Sequence, residues 1–292
     1  MRIGVIERDE QLYQGIRTNL ATIGSVSRVE QGEDARGLDV VVQGDGPEVD
    51  LANTPRIEIV SQADDARLCE ALRRGSAVLE RPFLPERLAE LVHWVARNPT
   101  VFQSWCPSTQ PENFEQLQHM SLAGAEARDI AQVVSRDLGL FWTTLRLAGA
   151  ISGTLSTFPT LTGAIQRIGS GRFNRLVQNG YIESLLTLST DPVPQSTSRQ
   201  MKTAECARAY LHDPVYSALA YIIPITRAVA RELQIDTVEL LQGVGGPKVW
   251  TQTYESLVKK ELGNPVVAAI MAAEYRNTRR VQTATYHLKR AG

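Results

Sequence analysis

Three short β-rich runs separated by helical stretches constrain the first third of this chain more than any other feature. The runs are residues 2–6 (RIGVI), 39–43 (DVVVQ) and 56–60 (RIEIV). Between and after them lie patterns of helical period. Residues 11–20 read as a helix. So do residues 66–73, with Leu68, Ala71 and Leu72 on one side, and residues 85–97, with Leu88, Leu91, Val92 and Val95 one turn apart. Short apolar strands alternating with helices predict a parallel sheet covered on both faces.

The pattern changes after residue 97. Residues 98–112, NPTVFQSWCPSTQPE, hold three prolines and little periodicity, and read as a linker. Beyond it the chain is almost wholly helical. Asp137 is placed to cap a helix carrying Leu138, Phe141, Trp142 and Leu145. Leu161, Ala164, Ile165 and Ile168 make a second stripe, closed by Gly169. A third runs from Phe173 through Leu176, Val177, Gly180 and Tyr181 to Ile182 and Leu185. Residues 189–203, polar and proline-bearing, read as a loop. Helices follow over 215–233, kinked by Pro224, and over 238–241, with at least two more from Tyr254 onward. The division this implies is 1–97, a linker over 98–112, and 113–292.

Composition narrows the function classes. With 292 residues, 43% hydrophobic and 22% charged, the chain reads as a globular protein of about two domains. A formal net charge of −1 gives no global field toward nucleic acid or a membrane surface, so neither is expected as a partner. Cys69, Cys106 and Cys206 are odd in number and widely spaced, which suits neither a disulfide framework nor a zinc site. The N-terminus lacks the layout of a signal peptide and no apolar run approaches a membrane span, so a cytoplasmic location is expected.

Two resemblances sharpen the reading. The opening "VIERDE", Ser61 after a strand run, and "GSAVLERPF" before an amphipathic helix resemble a response-regulator receiver domain, whose fold is a doubly wound, flavodoxin-like α/β sheet. Receivers use two acids after the first strand to hold Mg²⁺, an aspartate after the third to accept phosphate, and a Lys-Pro pair. Here those places fall on Glu7 and Arg8, on Gly44, and on Arg81-Pro82, while Ser61 matches the hydroxyl position. An arginine beside a dication site opposes the metal by like-charge repulsion. Asp45, one residue past the acceptor place, is the one candidate for phosphorylation, and Asp9 could stand in as a ligand; a turn role for Asp45 in GDGPE is the plainer account. The resemblance thus implies a pseudo-receiver.

The second half resembles the HDOD family of all-α, HD-like output domains, through the helix opened by Asp137 and ending "LRLAG", the following "AIQRIG", and "RFNRLV". Catalytic HD domains bind metal through histidines and a His-Asp pair. The matching places here are Gln242 and Gly243, and glycine offers no ligand. The literal pair His212-Asp213 precedes Pro214, which reads as a helix start. His93, His119 and His287 show no ligand spacing. Gly243, Gly245, Gly246 and Lys248 miss the phosphate-loop pattern. Arg276, Arg279, Arg280, Lys289 and Arg290 form a basic tail that could meet an acidic partner or lie on a solvated helix face.

The functional expectation is a non-catalytic bacterial signalling adaptor with no catalytic residue, metal or cofactor. By resemblance, it would contact other signalling proteins, including components of cyclic-nucleotide networks, and homodimerisation is open. The alternatives are a response regulator switched by phosphorylation of Asp45, a residual metal-dependent phosphohydrolase, and a sensor of a small ligand held between helices.

Overall fold

The computed structural model describes residues 1–30, 37–46, 54–62, 64–98, 107–151, 160–190, 195–243 and 248–277. The chain divides into two compact units. One comprises Met1–Ser156, Ile165–Leu188 and Gly243–Gly245; the other comprises Thr157–Ala164, Ser189–Gln242 and Gly246–Gly292.

The first unit opens with β1 (Arg2–Ile6), α1 (Glu10–Leu20), β2 (Ser25–Arg28), β3 (Val40–Gln43), β4 (Arg56–Val60), α2 (Asp65–Arg73), β5 (Ala77–Glu80) and α3 (Pro85–Arg97). The five strands form one parallel sheet in the order β2-β1-β3-β4-β5. That order places a switch point between β1 and β3, where crossovers leave in opposite directions. The α/β part of the expected fold class is therefore present. Three of the five strands are legible in the sequence and two are not. β2 (SVSR) is a half-exposed edge strand with serines at alternate positions. β5 (AVLE) is four buried residues long, too short for periodicity to register.

One face of the sheet is aliphatic. Ile3, Val5, Val40, Val42, Ile57, Ile59 and Leu79 meet Tyr13, Ile16 and Leu20 of α1 and Leu88, Leu91, Val92 and Val95 of α3 in one core cluster. Period-two alternation sends Gln43, Glu58 and Glu80 to the opposite face, where all three are buried. α2 lies on that side, joined to Glu58 through Ser76 and Arg74 just beyond its end.

The rest of the first unit is helical. It contains α4 (Pro111–Leu122), α5 (Ala127–Val134), α6 (Leu138–Ile151), most of the stretch from α7 (Leu161–Ile168) into α8 (Ser170–Gln178), and a 3-10 turn at Glu183–Leu185. A two-residue parallel ladder joins β6 (Ser108–Thr109) to β7 (Thr187–Leu188). So the end of the stretch read as linker carries a short strand, while residues 99–106, with Cys106, lie outside the described residues. Asp137 caps α6 as its position predicts. Its Oδ1 accepts from Leu140 N at 3.0 Å, and Oδ2 accepts from Gln110 N at 2.8 Å and Asn113 Nδ2 at 3.2 Å. α7 ends at Gly169, at φ 88°. α8 stops at Gln178, short of the expected run to Leu185, because Gly180 turns the chain at φ 75°. α6 packs along β5 and covers what would be a bare sheet edge.

The second unit holds α9 (Gln195–Arg208), α10 (Pro214–Leu233), α11 (Thr237–Gly243, whose last residue belongs to the first unit), α12 (Lys248–Val258) and a helix α13 over 265–277. α9 corrects the loop expected over 189–203. Its face against α10 is made of Thr203, Ala204 and Ala207, all buried, and such small residues leave no strong apolar stripe in the sequence. Pro224 lies inside α10. Asn277 Nδ2 donates to Thr203 Oγ1 at 3.0 Å, and Arg227 pairs with Glu274 at 3.1 Å, so α13 is tied to both α9 and α10. Among the described residues, no helix is long and apolar enough to cross a membrane.

Candidate functional site

The ends of β1, β3, β4 and β5 bring Glu7, Gly44, Asp45, Ser61 and Arg81 to one edge of the sheet, the edge where parallel α/β sheets hold ligands. What they do there differs from receiver chemistry at almost every position. Glu7 is buried, and its carboxylate is taken up by backbone. Oε1 accepts from Asp9 N at 2.9 Å and Oε2 from Asp45 N at 3.1 Å. It also fills the space beside Gly44. A Cβ built on Gly44 would collide with Glu7 Oε2, so a side chain at the acceptor place and Glu7 in its present rotamer exclude each other.

Asp45, the alternative acceptor, lies between two guanidinium groups. Arg67 Nη1 donates to Oδ1 at 2.5 Å and Arg81 Nη2 to Oδ2 at 2.6 Å, while Arg67 Nη2 reaches Gly44 O at 2.6 Å. Burial pushes the Asp45 carboxyl up, but the hydrogen bonds and charges of Arg67 and Arg81 outweigh it and hold the group below its ordinary value. Asp9 is not placed as a metal ligand: its Oδ1 accepts from Leu12 N at 2.9 Å and caps α1. Arg8 and Ser61 are exposed at the rim. The peptide bond Arg81-Pro82 is cis. Arg67 is the one participant that the sequence does not mark. Its signal in the sequence is slight, a cation in the first turn of a helix capped by Asp64.

A second charged group lies beside this one. Arg172, at the start of α8, donates through Nε to Asp65 Oδ1 at 2.7 Å and through Nη1 and Nη2 to the two oxygens of Glu80 at 3.1 and 2.7 Å. The side chains are 11% exposed for Arg172 and 3% for Glu80. Burial raises the Glu80 carboxyl above its ordinary value, and Arg172 offsets this only in part. Cys69 on α2 is buried, and burial followed by the Asp65 charge pushes its thiol up to about 12, so it is an inert core thiol.

The HD-like positions are not assembled into a site. Gln242 is exposed, and a Cβ on Gly243 would run into the Trp94 ring, leaving no room for a ligand side chain. His212 is exposed, and Asp213 Oδ1 accepts from Val215 N and Tyr216 N, both at 2.9 Å, capping α10 with Pro214 as its first residue. His93 and His119 are exposed and far apart in sequence. Gly245, Gly246, Arg279, Arg280, His287, Lys289 and Arg290 lie outside the described residues; Arg276 is exposed. No group of three or more His, Cys, Asp or Glu side chains that could hold a metal is found among the described residues. No protein-family model, no curated protein and no solved structure matches the chain.

Proposed function

We propose that the protein is a non-catalytic signalling adaptor, in which a pseudo-receiver precedes an HDOD-like helical domain that lacks metal ligands. One observation carries this reading: Glu7 takes the space of an acceptor side chain at position 44, and Asp45 is clamped by Arg67 and Arg81. Phosphoryl transfer to a carboxylate needs an oxygen free to attack and a dication to neutralise developing charge. Here two arginines engage both oxygens, and the capping role of Asp9 occupies a second acid. Such a domain can still present surfaces, and fold leaves function to its sites.

The test is to incubate the full-length protein with Mg²⁺ and acetyl phosphate and read its intact mass, alongside Asp45→Asn. The adaptor reading expects no phosphoryl adduct in either. An adduct on the natural protein that vanishes in Asp45→Asn would establish the phosphorylation-switched regulator instead. Hydrolysis of a chromogenic phosphodiester with Mn²⁺, lost in Asp213→Ala, would establish the phosphohydrolase. Quantitative capture from native cell extract on the full-length chain then asks what it contacts. Reproducible retention of signalling proteins is the expected result, and an empty bait would remove the adaptor reading.

A further inference from the structure

Two ion clusters of opposite sense share the same two elements. In the first, one acid, Asp45, is held by Arg67 from the first turn of α2 and by Arg81 just after β5. In the second, one cation, Arg172, is held by Asp65 from the first turn of α2 and by Glu80 at the end of β5. Arg67 and Asp65 are separated by one residue, and Glu80 and Arg81 are adjacent. Each cluster therefore bridges the first turn of α2 and the end of β5. The clusters differ in where their third arm leads, the first to the end of β3 and the second to α8.

From this shared frame we infer that Arg172 is a latch that couples the Asp45 site to the docking of α8. Loss of the Asp45 charge removes the ion pairs of Arg67 and Arg81 and leaves Arg67 its bond to Gly44 O, so the first turn of α2 keeps its tie to the end of β3 but loses the one that runs through Asp45 to the end of β5. The fork of Arg172 needs both carboxylates in place at once, because a planar guanidinium cannot follow two acceptors that move apart. Loosening one cluster thus weakens the other, and the linkage runs equally in both directions. The coupling does not depend on what partner the protein has. It would let an anion that competes with Asp45 for its arginines reach the helical part of the first unit. α8 is the element positioned to report it, being joined to the frame by an arginine from its first turn.

The experiment is amide hydrogen exchange on the full-length chain for the natural protein, Asp45→Asn, Arg172→Met and the double variant. Coupling cannot exceed the interaction removed, and exposed ion pairs are weak, so Asp45→Asn should speed exchange across residues 170–178 by about 2-fold, with α1 and α3 unchanged. In the Arg172→Met background the same substitution should add nothing there. Unchanged exchange over 170–178 in Asp45→Asn would overturn the latch. So would a uniform rise that includes α1, since that is general destabilisation. If Arg172→Met does not fold, Arg172→Lys keeps the charge, loses the fork, and should show the same loss of coupling; intact coupling in that variant would also overturn the proposal.

Discussion

The two faces of the five-stranded sheet are held by different physics. Under α1 and α3 the layer is Val, Ile and Leu against Tyr, Ile and Leu, and any side chain of similar volume would serve. The opposite face buries Ile6, Val41, Val60 and Val78, but it sets Gln43, Glu58 and Glu80 among them, and a buried carboxylate must be met by donors of suitable geometry. Glu58 accepts from Ser76 Oγ at 2.8 Å and Arg74 Nη2 at 3.3 Å, and Glu80 accepts from Arg172. The aliphatic face determines that helices pack there. The charged face determines which residue of which helix does so, since only a guanidinium at position 172 answers both Glu80 and Asp65. A buried charge costs more to misplace than a methyl group, so the charged face is the one that can specify register.

The largest effect is expected on the aliphatic side. Leu88, fully buried under the sheet, should cost about 3 kcal/mol on truncation to Ala, read as a lowered urea midpoint, and no second substitution of a polar residue should restore it. On the charged side, Arg172→Met strands Glu80 without its cation and should cost about 2 kcal/mol, less than a fully buried pair because Asp65 is 25% exposed. Here a partner change should help: adding Glu80→Gln to Arg172→Met should recover at least half of the loss. If Leu88→Ala can be rescued in that way, or Arg172→Met cannot, the contrast between the faces fails.

Smaller effects probe the edge where the two faces meet. Gly44→Ala places a methyl in the space of Glu7 and should cost about 1–2 kcal/mol by overpacking, with part regained in Gly44→Ala/Glu7→Ala. Outside the sheet, Asp213→Ala should cost about 1 kcal/mol through loss of the α10 cap, while His212→Ala, at an exposed position, should leave the melting temperature unchanged. Equal losses from both would point to the pair acting together rather than to a cap.

The same contrast explains how far the sequence could be read. Helices α1, α2 and α3 stand within one residue of their sequence-based bounds because each carries an apolar stripe facing the sheet. The cap at Asp137 and the stop at Gly169 follow from residue types with few other uses at those places. β5 and α9 escaped, the first because four buried residues have no measurable period and the second because its packing face is Thr and Ala. At the candidate site, strand ends made Glu7, Gly44, Asp45, Ser61 and Arg81 legible as one group. Arg67 and Arg172 were not, because an arginine on a helix gives no sign in sequence of which distant carboxylate it will meet. Charge pairing across long separations, Arg172 with Asp65 for instance, is a property of the folded sheet and helices together.

The smallest prediction separates the two clusters by their response to pH. Burial raises the Glu80 carboxyl above its ordinary value of 4.5, with Arg172 offsetting only part of the rise. The native state then holds that proton more tightly than the unfolded chain, so its contribution to stability is full below pH 4.5 and is lost as pH rises through the raised value. Asp45 has the opposite sign. Its carboxyl sits below 3.8 because Arg67 and Arg81 outweigh burial, so its contribution is present above 3.8 and is lost as pH falls through the lowered value. With Asp45 55% exposed, solvent screening holds that share to about 0.5 kcal/mol or less. Urea midpoints measured from about pH 3 to about pH 7 should show Glu80→Gln gaining on the natural protein as pH rises past 4.5. Asp45→Asn should instead lose its deficit as pH falls below 3.8. If both substitutions alter the same limb of the profile, the two clusters are electrostatically alike, and the assignment of the buried one to register and the exposed one to the site edge would have to be given up.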